Sequence, residues 1–204
     1  MDLLERRRLM MAAGDTYLDA VYITFTGDQY IDLGIYGNNY TQYIVDFYIT
    51  TLVRGQSRSL FGYYDSSNPT TKSLNVYLGY GSASTRYGNA SGNLDWRSGY
   101  RYTTTLEPTG MSVIRDDSSR PYYSKSWSAS SFTTEGTLKV GYTGTGLYFI
   151  GDLYFIEVFN QTEGVIMWLT SAYSVRLNQF GLLNQVDNRF YYSVTGVPLG
   201  GQLR

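Results

Sequence analysis

At 204 residues the chain is long enough to bury a core without covalent staples, and it contains no cysteine and no histidine. Those absences exclude disulfides, thiolate metal sites, serine–histidine triads and the imidazole general base. With 16 basic against 17 acidic residues, a net charge of -1, no global field favours nucleic acid or an acidic membrane.

Residues 1–14, MDLLERRRLMMAAG, are built from helix formers, with Gly14 as a natural stop. Leu3, Leu4, Arg7, Arg8 and Met11 fall at helical spacings, but so short a helix is marginal in water unless it docks. Two readings stand: a frayed tail, or a docking leader whose contacts are Leu3, Leu4, Arg6, Arg7, Arg8 and Met11. The three arginines lack the basic surroundings that phosphate recognition needs, which favours a solvated or partner-docking face. Only Leu9 to Ala13 follow them before Gly14, too short for the apolar stretch of a secretory leader, and no apolar run approaches a membrane span. The chain is therefore expected to fold where it is made, as a leader (1–14) and one domain (15–204).

From Tyr17 onward the period is two. Val21, Ile23 and Phe25 share a face; Ile31, Leu33 and Ile35 repeat the pattern; Tyr43, Val45, Phe47 and Ile49 alternate with Ile44, Asp46, Tyr48 and Thr50. Leu74, Val76 and Leu78 follow, then Tyr100, Tyr102, Thr104 and Leu106, then Met111 and Val113, then Leu138 and Val140. Turn clusters separate these runs at Asp65-Ser66-Ser67-Asn68-Pro69, Gly79 to Gly92 and Asp116 to Pro121. The stretch 79–99 carries the weakest pattern and reads as a long surface loop or an edge hairpin. Tyrosine, at 22 residues, equals glycine, the composition of pleated sheets and their turns. Many short strands between turns predict an all-β, two-sheet antiparallel jelly-roll sandwich. Its first strands (Thr26 to Ile35) and last strands (Gly151 to Phe159, Gly181 to Tyr192) belong to one sheet system. Leu153 and Ile156 both look buried although three positions apart, which predicts a β-bulge near Tyr154-Phe155 and an outward Glu157.

The stretch Gly27-Asp28-Gln29-Tyr30-Ile31-Asp32-Leu33-Gly34 resembles the first-strand signature of concanavalin A-like, laminin-G-like jelly-roll domains, found in gut bacterial surface proteins and tailed-phage structural proteins. Leu60-Phe61-Gly62 is similar to that family's next short motif, Gly151 to Asn160 to its long penultimate strand, and Leu182 to Tyr192 with Thr195-Gly196 to its closing hairpin. The chain departs from the family after Trp168-Leu169, where Thr170-Ser171 and a longer connection to Phe180 replace a proline and cysteine. The resemblance implies binding or display. Its leading form is a non-enzymatic phage virion component (head fibre, capsid decoration or tail structure), made in the host bacterial cytoplasm. It would be held to other virion proteins by the leader and self-associated as a trimer. The alternatives are a lectin-like carbohydrate-binding module at the bacterial cell surface and a divergent glycosidase.

Glycosidase relatives place carboxylates in a Glu-x-Asp-x-x-Glu pattern, and none of Glu5, Glu107, Glu135, Glu157 and Glu163 sits in one. Asp152 and Glu157 share a strand at odd spacing, facing opposite ways unless the bulge intervenes. Asp116-Asp117 and Asp65 with Asn68 offer hard oxygens for calcium, but the same residues are ordinary turn formers, so no cofactor or metal is expected. Tyr63, Tyr64, Trp96, Tyr122, Tyr123 and Trp127 lie in or beside loops and are the candidates for glycan or partner contact, with covering of the sandwich ends as their other role. Trp168, in an apolar strand, reads as core. The expected partners are thus virion proteins, further copies of the chain and a host glycan, with neither nucleic acid nor membrane.

Overall fold

The computed structural model describes residues 15–68, 72–79, 83–118, 120–144 and 147–204. The leader candidates Leu3, Leu4, Arg6, Arg7, Arg8 and Met11 lie outside the described residues. Among those described there is no helix. The strands in chain order are β1 (Tyr17–Thr26), β2 (Ile31–Asn38), β3 (Thr41–Ile49), β4 (Ser57–Tyr63), β5 (Leu74–Gly79) and β6 (Ala83–Tyr87). Next come β7 (Ala90–Leu94), β8 (Arg101–Glu107), β9 (Gly110–Arg115), β10 (Tyr123–Ser126), β11 (Thr133–Val140) and β12 (Leu147–Tyr148). The chain closes with β13 (Ile150–Asn160), β14 (Gly164–Ser174), β15 (Gln179–Asn184), β16 (Phe190–Tyr191) and β17 (Gly200–Leu203).

Two sheets form the sandwich. The ten-stranded sheet runs β10-β9-β8-β3-β13-β1-β14-β15-β16, with β17 on β1; the seven-stranded sheet runs β2-β11-β4-β5-β6-β7, with β12 on β4. All pairings are antiparallel except the short β12–β4 contact. The two ends of the described chain meet in the large sheet, where β1 pairs with β13 through Ile23 and Leu153 and with β17 through Thr24 and Gly200; of the stretch expected to lie with the closing strands, Ile31 to Ile35 instead sit in β2 of the small sheet. The weakly patterned stretch after Gly79 is the β6–β7 hairpin at one edge of the smaller sheet.

Alternation produces the core. Ile23, Phe25, Tyr43, Val45, Phe47 and Ile49 of the large sheet face Leu60, Phe61, Leu74, Val76 and Leu78 of the small one, all essentially without solvent contact. Sheets packed about 10 Å apart leave room for rings to interdigitate. Phe47 touches Trp96, Tyr102 and Phe149 at centroid distances of 5.7, 5.8 and 6.2 Å, and Tyr43 lies 5.6 Å from Phe61. Such pairs add about 1 kcal/mol each beyond their area burial.

Two local irregularities matter. In β13 the register against β3 passes from Leu153↔Phe47 to Phe155↔Asp46, so Tyr154 is the extra residue of a bulge. Leu153 and Ile156 are both fully buried as a result, and Glu157 is turned outward, as predicted. In β4 the register shifts between Ser59 and Phe61, and Gly62 adopts φ 118°. A Cβ there would sit 1.9 Å from the Leu74 carbonyl oxygen, so the Leu60-Phe61-Gly62 motif reflects a backbone approach that only glycine permits.

Candidate functional site

Trp96 corrects the expectation most sharply: its side chain is fully buried, 5.1 Å from Tyr102 and 5.7 Å from Phe47, and no ligand can reach it. It follows β7 in a loop, yet that loop closes over the end of the sandwich. Tyr63, Tyr122, Tyr123 and Trp127 are half-buried against the same core. The polar edges of two of them are engaged: Tyr122 Oη donates to the Asp95 carbonyl (3.1 Å) and Trp127 Nε1 to the Glu107 carbonyl (2.9 Å). Tyr64 pairs with Tyr77 at 6.3 Å, away from that end. The six aromatics therefore do not converge on one surface. Of the turn carboxylates, Asp65 is engaged through one oxygen, its Oδ2 buried with no partner among the described residues, and Asp117 through both. Asp65 Oδ1 accepts from the Ser67 and Asn68 amides, and Asp117 takes both Arg115 nitrogens at 2.6 and 2.8 Å, which raises the Arg115 pKa. Among the described residues no group of three or more metal-ligating side chains is found.

The residue that alternation places in the open is Trp168. Met167 and Leu169 point into the core, so Trp168 points out and is 47% exposed, a correction to its reading as core. The backbone fixes the indole. Trp168 N donates to Asn184 Oδ1 (3.0 Å), its carbonyl accepts from Gln185 N (2.8 Å), and the Gln185 amide reaches Thr170 Oγ1 (2.7 Å). Asn184 is itself buried, so the anchoring amide is held.

Register extends this position into a surface. Across the outer face of the large sheet one row reads Thr105, Ile44, Glu157, Trp168; the next reads Thr103, Asp46, Phe155, Thr170; a third reads Arg101, Tyr48, Asp152, Thr24. With strands spaced about 4.8 Å, each four-strand row is about 14 Å wide. Asp46 is buried because Arg101 and Thr103 cover it: Arg101 Nε lies 2.6 Å from one oxygen and Thr103 Oγ1 2.8 Å from the other. The same guanidinium stacks 3.7 Å above the ring of the bulged Tyr154, which Tyr22 meets edge-on at 5.7 Å. Burial raises the Tyr154 phenol pKa, against the pull of Arg101, so its hydroxyl stays protonated at neutral pH. Asp152 accepts from Thr24 Oγ1 at 2.7 Å, and Glu157 has no hydrogen-bond partner among the described residues. The bulge does bring Asp152 and Glu157 to one face. Chemically, the surface offers a flat indole, further rings, and carboxylate and hydroxyl groups at fixed spacing: a platform for stacking and hydrogen bonding.

Sequence reasoning missed Trp168, Tyr154 and the Asp46–Arg101 pair. The signal for Trp168 was present, since Met167 and Leu169 fix its parity. The Asp46–Arg101 pairing, 55 residues apart in sequence, left none.

No protein-family model and no curated protein matches the chain. Among solved structures it is similar to the crystal structure of a "putative carbohydrate binding protein" from Bacteroides ovatus, with TM-score 0.58 and 10% identity over 91% of this chain. The match spans 61% of the length of that structure. At this identity the likeness is one of fold.

Proposed function

We propose that the chain is a carbohydrate-binding domain of the concanavalin A-like, laminin-G-like kind, and that glycan lies across the outer face of the large sheet on Trp168. The observation that carries this reading is the indole itself: half exposed on a strand ladder, beside a carboxylate with no partner among the described residues, in a chain that buries Trp96 completely. A sugar ring presents axial C–H groups that stack on an indole and equatorial hydroxyls that donate to carboxylates. Glu157 shares the indole's ladder row, and Gln185 lies beside it on the next strand. The fold likeness to the Bacteroides ovatus protein supports the same class.

The proposed role is non-enzymatic. Asp152 and Glu157 share a face, yet neither belongs to the glutamate-rich pattern of the glycosidase relatives, and no histidine can assist. Incubation with soluble polysaccharides followed by a reducing-end assay is expected to show no release; release abolished by Glu157→Gln would reinstate the glycosidase. Virion docking through residues 1–14 rests on a segment outside the described residues, and self-association rests on analogy with symmetric phage appendages. No observation favours them over a lectin-like domain.

The test of binding is native affinity electrophoresis through gels containing dissolved polysaccharides. Retardation by at least one polysaccharide, lost on Trp168→Ala and kept on Tyr64→Ala, is the expected pattern. Retardation lost on Tyr64→Ala and kept on Trp168→Ala would move the site to the loops.

A further inference from the structure

Four central strands of the large sheet present mostly acidic groups on their outer face. Along β3, β8, β13 and β14 its outward positions hold the carboxylates of Asp46, Glu107, Asp152 and Glu157 and a single basic side chain, Arg101. The charge of Arg101 is already paired, its Nε bonded to Asp46 at 2.6 Å and its guanidinium stacked on Tyr154 at 3.7 Å. Glu107 accepts from Gln42 Nε2 and Thr109 Oγ1, and Asp152 from Thr24 Oγ1. Among the described residues no ion pair offsets either of these or Glu157, which is Trp168's direct neighbour across the β13–β14 ladder.

From this charge pattern, which rests on the carbohydrate-binding reading, we infer that the face selects glycans without acidic groups, accepting neutral or amine-bearing sugars and rejecting those with carboxylate or sulfate. An acidic sugar stacked on the Trp168 indole would bring its anion within a Debye length, about 10 Å at 0.1 M salt, of Glu157, and among the described residues that ladder row holds no basic side chain to receive it. A hydroxyl or ammonium group in the same place donates to those oxygens instead. The selectivity therefore comes from repulsion of the wrong ligand as much as from attraction of the right one. Glu157 is its main determinant, since it adjoins the indole and has no competing donor among the described residues.

The experiment uses the full chain in affinity gels at 0.1 M salt with four probes: laminarin (neutral), glycol chitosan (amine-bearing), alginate (carboxylate) and dextran sulfate. Retardation by laminarin or glycol chitosan, with at least tenfold weaker or no retardation by alginate and dextran sulfate, is expected. Glu157→Lys combined with Asp152→Lys is expected to raise retention by alginate at least tenfold, with Glu157→Gln giving a smaller rise should the lysine variant fail to fold. Wild-type retardation by alginate or dextran sulfate that depends on Trp168 overturns the selectivity and leaves the binding reading intact. Unchanged acidic retention in both Glu157 variants overturns it too. No retardation by any of the four, or retardation indifferent to Trp168→Ala, instead sinks the carbohydrate reading of this face.

Discussion

Trp96 and Trp168 sit in environments opposite to those their sequence neighbourhoods suggest. Trp96 lies in a polar, turn-rich stretch and is fully buried; Trp168 lies in the run Val165-Ile166-Met167-Trp168-Leu169 and is half exposed. The difference is that a strand side chain has its face dictated by the ladder, whatever its neighbours' hydrophobicity, whereas a loop side chain goes where the sandwich end needs closing. Trp96, in a loop, caps the core; Trp168, on a strand, stays half exposed.

The comparison breaks first at Trp96. Truncation to alanine removes the largest fully buried side chain and should cost about 3–5 kcal/mol in urea denaturation. Trp96→Phe should cost much less, since the indole Nε1 has no hydrogen-bond partner to lose. A cost below about 1 kcal/mol for Trp96→Ala would mean that the loop is not closed over the core.

The residues legible in advance were those governed by alternation. The two-sheet antiparallel sandwich and the Leu153–Ile156 bulge followed from period two and its interruptions, whereas the weakly patterned stretch 79–99, left between a loop and an edge hairpin, was decided only by the β6–β7 pairing. The site was not legible. Choosing aromatics by loop position assumed that loops are exposed, which failed at Trp96. Choosing Trp168 as core followed the composition of its strand and overlooked the parity set by Met167 and Leu169.

Gly62 sharpens the backbone side of the contrast. Gly62→Ala places a Cβ against the Leu74 carbonyl at positive φ, so a loss of about 3 kcal/mol is expected by the same assay, and a neutral result would contradict the close approach of β4 and β5.

Tyr43 tests the core through pH. Burial raises its phenol from 10.0 to about 12, so between those values the folded state holds a proton that the unfolded state has released. Stability is therefore present below pH 10 and lost as pH rises through about 12, by about 2 kcal/mol from this group. Urea midpoints at pH 9 and 11 should differ, and Tyr43→Phe should reduce the difference. An identical slope in the variant would place the titration elsewhere.

The smallest stability effect belongs to Trp168. Trp168→Ala should change the unfolding free energy from urea denaturation by less than about 0.5 kcal/mol, as for an exposed position, while removing glycan binding. A large loss of stability would mean that the indole is packed, and the contrast with Trp96 would disappear.

Tryptophan fluorescence during titration with laminarin or glycol chitosan, whichever retards the protein, compares the sites directly, because the chain holds only three tryptophans. The outer-face site predicts a ligand-induced spectral shift in the wild type and in Trp127→Phe that vanishes in Trp168→Phe. A shift that persists in Trp168→Phe and vanishes in Trp127→Phe would contradict it.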